Sequence, residues 1–302
     1  MTKSLSGVWR LTRFYEYVAF VVITTLLGAA AGGGSLGWPL VVALAANWLA
    51  VGFAFMINDV EDAPDDALTP AKARRNPVSA GELSPRLARA LSFSAAALAA
   101  GLYAWLGLGP FVIGVTCLVL AWFYSWRRVR LKAIPVADLI SHIFMLAGLQ
   151  LLAAYATFRD APDWNLAFPL AFVMAISLYG QLFNELRDFE GDRKAGVTHT
   201  ASFLGARRAY VLMMIWLAVG IISAGMFIFV FRLIPTWVLL STAGLAALFS
   251  LWPALRVRRA RSVVEGQGSF HKPLEAAAAL ALTAWFVSPA ALEALLLLTA
   301  GR

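Results

Sequence analysis

An all-α bundle that crosses a membrane about nine times is the fold this sequence predicts, and three observations predict it. Of the 302 residues, 61% are hydrophobic and only 14% charged, and the mean hydropathy is +0.74, well outside the range of soluble globular domains. The apolar residues fall in runs long enough to span a bilayer as helices, and the two-residue alternation of barrel strands is absent. The basic residues also sort by side. With the N-terminus in the cytoplasm, 22 of the 25 lysines and arginines fall in segments on that side, and Arg159, Arg232 and Arg302 fall outside. This bias is the positive-inside rule, and it sets the N-terminus in and the C-terminus out.

The runs follow in order. The first, 14–33, comes after Lys3, Arg10 and Arg13 and ends on Ala29, Ala30 and Ala31. It has the outline of a signal peptide, but Glu16 interrupts its start and its loss would leave an even number of helices, so it is expected to stay. The second run, 38–57, leads into a cluster of acids and a loop of about 30 residues. Pro64 lies inside that cluster and removes a backbone donor, which predicts a kinked or loosened helix end. Runs three and four, 89–107 and 110–126, precede Arg127, Arg128, Arg130 and Lys132. Cys117, the only cysteine, lies in run four, so neither a disulfide framework nor a thiolate metal cluster is possible.

The fifth run, 134–157, holds Asp138, His142 and Gln150. Polar residues are costly in a span, and these either bond to a neighbouring helix or face the reaction, where one of them takes a proton. The sixth run, 166–185, leads into a second acidic cluster and a loop of about 22 residues, before runs 209–230, 233–252 and 274–299. Loops of that length in a compact bundle are usually functional, and these two read as lids. His199 and His271 fall between runs and read as ordinary solvated side chains. Two four-helix blocks, 14–126 and 134–252, make a pseudo-repeat within one domain covering 1–302.

Each block carries the same ladder at the end of its second helix. Asn58, Asp62 and Asp66 stand four residues apart, and Asn184, Asp188 and Asp192 repeat the spacing. On a helix this places the oxygens of each set along one stripe. Magnesium suits such hard ligands and is usually held by one or two carboxylates together with substrate phosphates. Two such ladders facing one site are therefore a means of holding magnesium and a diphosphate. Asp65 is the alternative outermost ligand of the first. Asp59, Glu61, Glu185 and Glu190 lie off the stripes and are either ion-paired or supporting. A net charge of +8 is accounted for by topology, so nucleic acid is not an expected partner.

The first cluster, Asn58-Asp59-Val60-Glu61-Asp62-Ala63-Pro64-Asp65-Asp66 followed by Arg74-Arg75-Asn76-Pro77, and the second, Asn184-Glu185-Leu186-Arg187-Asp188-Phe189-Glu190-Gly191-Asp192-Arg193-Lys194, resemble the paired aspartate-rich motifs of the UbiA superfamily of intramembrane prenyltransferases. The resemblance implies a nine-helix bundle and a prenyl diphosphate held through Mg2+ by Asn58, Asp62, Asp66, Asn184, Asp188 and Asp192. It further implies ionisation of that diphosphate, with Asp62, Asp66, Asp188 and Asp192 catalytic, and capture of the prenyl cation by a lipophilic acceptor, aromatic or isoprenoid, dissolved in membrane lipid. Arg75 or Arg74 matches the family's basic stretch after the first motif. The segment from Tyr124 to Lys132 resembles its stretch after the fourth helix, with Arg128 and Lys132 as diphosphate ligands beside Arg193 and Lys194. Tyr155, Tyr179 and Phe183 are candidates to line the prenyl tunnel. Cyclisation of the donor itself is the alternative chemistry, and a transporter the alternative class. The expected location is the bacterial inner membrane, with both ladders at the cytoplasmic face.

Overall fold

The computed structural model describes residues 2–194, 198–257 and 263–300; side chains at 2–4, 191–194, 252–257, 263–266, 268 and 290–300 lie outside that description. All the regular elements among the described residues are helices. α1 (Thr2–Thr12) and a 3₁₀ turn at Phe14–Glu16 lead into α2 (Val18–Ala31). Arg13 adopts left-handed backbone, φ 49°, and the chain bends by 52° between Leu5–Glu16 and Val18–Ala31. α3 (Trp38–Asp66) carries the first ladder and α4 (Pro70–Arg75) the basic residues after it. The helix continues through Pro64 to Asp66. Pro64 gives no N–H to the preceding turn, and the helix ends two residues beyond it.

α5 (Pro85–Leu106), capped by the Ser84 hydroxyl accepting from Leu87 N at 3.2 Å, and α6 (Leu108–Ser125) complete the first half. The fifth apolar run folds as α7 (Ala137–Ile143), a π-helical turn at Phe144–Gly148, and α8 (Leu149–Ala156). α9 (Trp164–Lys194) carries the second ladder; α10 (Thr200–Leu204), α11 (Ala206–Gly225), α12 (Thr236–Val257) and α13 (Val263–Ala300) follow. Each expected run coincides with helix. Six helices are long and apolar enough to cross a membrane, seven if the bent α1–α2 pair is one span, among the described residues; Thr236–Leu251 is a shorter apolar helix.

α5 packs along α3 as α11 packs along α9, so each ladder helix has its own partner. Phe53, Ile57, Tyr103 and Cys117 centre one core region, and Leu27, Leu151, Val173 and Phe286 another. Between them lies a buried polar network. Asn47 accepts from the Tyr103 hydroxyl at 2.6 Å and donates to Thr25 Oγ1 at 2.8 Å and to the Gln150 carbonyl at 3.2 Å. The Gln150 amide in turn donates at 3.1 Å to Met145 O inside the π turn. Gln150 therefore bonds between and within helices, the first of the two roles open to it. Close approach is made with small residues: a Cβ on Gly28 would stand 2.4 Å from Leu151 O and 2.9 Å from Ala154 Cβ.

Candidate active site

The first ladder is met by the turn after α6. Asp62, 19% exposed, accepts from Lys132 and, at 3.4 Å, from Arg130. With its amide oriented by the charges around it, Asn58 accepts from Lys132 Nζ at 2.8 Å and donates to Asp62 Oδ2 at 3.2 Å. Burial holds the Lys132 ammonium below the ordinary lysine range, and Asp62 beside it partly restores its basicity. Arg130 also donates to Asp65 at 2.8 Å, and Arg127 to Asp65 at 2.6 Å. Asp66 accepts from Asn76 at 2.9 Å. The outer end of this ladder is thus divided, with Asp65 sharing Arg130 with Asp62 while Asp66 serves the α4 loop. A step of three residues lands on one flank of the stripe and a step of four on the other.

On α9, Asn184 opens onto the same cavity as Asn58, a space of about 350 Å³ walled also by Arg13, Arg75, Arg187 and Lys272. Asp188 lies one residue beyond Arg187, which donates to it at 3.0 Å. Asp192, Arg193 and Lys194 have their side chains outside the described residues. A second cavity of about 770 Å³ shares Glu16, Phe55, His142, Leu146, Asn184, Arg187 and Lys272 as wall with the first, and its remaining wall is mainly apolar, including Phe20, Val21, Val51, Ile176 and Phe183. A polar lobe rich in cations therefore opens, across a shared charged rim, into a larger and more apolar one.

Of the cations read from the sequence, Lys132 reaches a ladder and Arg75 walls the polar lobe, whereas Arg74 does not line it. Arg128 lies apart from both ladders among the described residues: its guanidinium lies over the Trp126 ring at 5.7 Å and makes no bond to either. Because Arg130 has left-handed backbone, φ 49°, the turn swings Arg130 and Lys132 toward α3 and leaves Arg128 on the aromatic surface. The sequence reading missed Arg13, Arg130, Lys272 and Glu16. Glu16 lines both lobes and accepts from Arg13 at 2.9 Å and from Arg75 at 2.9 Å. Nothing local distinguishes these charges from those that set topology.

Three of the four off-stripe acids, Asp59, Glu61 and Glu185, have polar partners. Asp59 accepts from Arg13 at 3.2 Å, and Glu61 from Arg89 at 3.2 Å. Glu185 is buried and accepts from Gln181 at 2.9 Å and from Ala201 N at 2.9 Å, with His199 Nδ1 3.2 Å away. His199 caps α10 by accepting from Ser202 N at 3.2 Å, and His271 lies on α13 with Nε2 2.7 Å from the Tyr179 hydroxyl. Neither is the solvated loop histidine expected. Asp138 is fully buried and accepts from Thr200 N at 2.6 Å and from its own helix's Leu139 N at 2.7 Å, so it docks α10 onto α7. Tyr155 accepts from Asp163 N at 3.1 Å and donates to Ala161 O at 2.8 Å; it anchors a loop, whereas Phe183 lines the apolar lobe.

The oxygen donors of Asn58, Asp62, Asn184 and Asp188 fit a hard divalent cation. Among the described residues no three His, Cys, Asp or Glu lie close enough together to hold a metal ion.

Comparison with known proteins accords with this geometry. The UbiA prenyltransferase family profile matches residues 20–271. A lycopene elongase/hydratase from Haloarcula japonica is 32% identical over 214 residues, covering 68% of this chain and 69% of its own. A digeranylgeranylglyceryl phosphate synthase from Methanothrix thermoacetophila is 30% identical over 207 residues, covering 66% and 71%. In three dimensions, a UbiA homologue from Aeropyrum pernix superposes with a TM-score of 0.70 at 19% identity, covering 91% of this chain and 98% of its own. One from Archaeoglobus fulgidus, solved with GPP and Mg2+, gives 0.63 at 20%, covering 90% and 99%. With the match running from α2 into α13, the chain belongs to the UbiA prenyltransferase family.

Proposed function

We propose that this protein transfers a prenyl group from a prenyl diphosphate to a lipophilic acceptor dissolved in the membrane. The observation that carries the reading is the pair of adjoining lobes, one with Asn58 and Asn184 among four cations, the other running from that charged rim between Phe20, Val21, Val51, Ile176 and Phe183. The diphosphate belongs in the first and the prenyl chain in the second. Lys132 and Arg75, with Arg13, Arg187 and Lys272, bind and orient the diphosphate, and Arg130 holds Asp62 and Asp65 in place for it. Magnesium, held by Asn58, Asp62, Asn184 and Asp188 and, at the outer ends, by Asp66 or Asp65 and Asp192, would supply the positive charge that makes diphosphate a good leaving group. Arg193 and Lys194 complete the cationic side. The apolar part of the second lobe shields the allylic cation from water.

The relatives' names favour an isoprenoid acceptor, since two lycopene elongase/hydratases are 32% and 31% identical to the chain. An aromatic acceptor is the other class: a 2-acylphloroglucinol 4-prenyltransferase from Humulus lupulus is 28% identical over 188 residues. The 22 basic residues on one side support an orientation with both ladders in the cytoplasm and the C-terminus outside, in what we take to be a single domain of a bacterial inner membrane. The test is to incubate the purified protein with Mg2+ and geranyl or geranylgeranyl diphosphate, with and without lycopene or an acylphloroglucinol, and to follow diphosphate release and products. Prenylated acceptor supports the reading. A cyclised hydrocarbon formed without acceptor would show a cyclase, and no diphosphate release under any condition would refute both.

A further inference from the structure

Alkylation of a carbon or oxygen acceptor leaves that acceptor with one proton too many, so the site needs a base where the two lobes meet. Resting on the prenyl transfer proposed above, we infer that His142 is that base. Its ring walls both the polar and the apolar lobe, which places it at the junction where the C–O bond of the donor breaks. Ser177 Oγ lies 3.2 Å from Nδ1. In the base form Nδ1–H donates to that hydroxyl and the Nε2 lone pair is left for a proton; among the described residues the ring's hydrogen bond is made through Nδ1. Tyr124 flanks the imidazole, with ring centroids 6.3 Å apart. The π-helical turn Phe144–Gly148 begins two residues later, a local distortion of the kind that often accompanies functional sites.

The alternatives are otherwise engaged. Of the three histidines in the chain, His199 caps α10 and His271 gives Nε2 to the Tyr179 hydroxyl. Asp138 is held by Thr200 and Glu185 by Gln181 and Ala201. Glu16 also walls both lobes, but its carboxylate is taken up by the guanidinium groups of Arg13 and Arg75. The step balances. The C1–O pair leaves with diphosphate, an electron pair of the acceptor forms the new bond to C1, and the C–H or O–H pair of the acceptor collapses to neutralise it as the proton passes to Nε2.

The experiment compares wild type, His142→Phe, His142→Gln and Glu16→Gln in detergent, using geranylgeranyl diphosphate with lycopene and Mg2+, after thermal melts establish that the variants are folded. Both His142 variants should still release diphosphate, while prenylated lycopene falls by about 10²- to 10⁴-fold, the usual contribution of a positioned base. The donor should then appear as prenyl alcohol formed with water, so the ratio of alcohol to coupled product rises by a similar factor. A merely structural role would lower release and coupling together. Unchanged coupling in both variants would assign the proton to the departing diphosphate, and uncoupling by Glu16→Gln alone would assign it to that carboxylate; either result overturns the inference. A wild type that releases no diphosphate would instead refute the prenyl transfer on which it rests.

Discussion

Neutralising Lys132 probes the contact between the first ladder and the turn after α6. The Lys132 side chain is 14% exposed and that of Asp62 19%, so the ion pair lies in a largely desolvated wall where a lost charge is not replaced by water. Lys132→Gln removes the ammonium that bonds both Asp62 and Asn58 and leaves Asp62 with Arg130 at 3.4 Å. A charge-assisted hydrogen bond contributes about 1.5 to 3 kcal/mol, which is roughly a 10- to 150-fold weakening of donor binding. Titration calorimetry with an unreactive thiolo analogue of geranyl diphosphate, in detergent with Mg2+, measures this directly. Arg159→Gln is the control, because that guanidinium pairs with Asp163 on the far side of the bundle. Unchanged affinity in Lys132→Gln would show that the lysine serves only the topology and the Asp62 pair, and a loss confined to Arg130→Gln would move the clamp to that residue.

Three other outcomes are expected. Asp188→Ala should abolish turnover while the protein remains folded, since its carboxylate is partly exposed and touches Arg187 rather than a core group; EDTA should abolish wild-type turnover too, and a magnesium-independent Asp188→Ala enzyme would remove the metal role of the second ladder. Lys72 should react with a membrane-impermeant amine reagent in inverted vesicles and not in right-side-out ones, and the reverse pattern would invert the topology drawn from the positive-inside rule. Gly28→Ala should lower stability by about 1 to 3 kcal/mol, the usual cost of overpacking, because the new Cβ would collide with Leu151 O across the α2–α8 contact; an unchanged melting temperature would show that the helices can separate there without cost.

The sequence by itself determined the class of the fold, the helical runs and the two ladders. Those features are local: the length of an apolar run, the side on which its basic flanks fall, and a four-residue spacing that helix geometry turns into a stripe. Asn58 and Asn184 are 126 positions apart, and that both face one cavity is a tertiary fact consistent with the duplicated pattern. What only the structure decided is which charges matter. Arg128 and Arg130 are indistinguishable as members of a basic run, and a left-handed residue at Arg130 sends one onto Trp126 and the other onto Asp62 and Asp65. Asp138, Glu185 and His199 are separate polar residues in the chain, and folding gathers them around the short helix α10 as buried hydrogen-bond partners. Glu16 and His142 acquire their positions between the lobes because α2, α3, α7 and α9 converge there. A side chain's partner depends on backbone brought from elsewhere, which neither periodicity nor composition records.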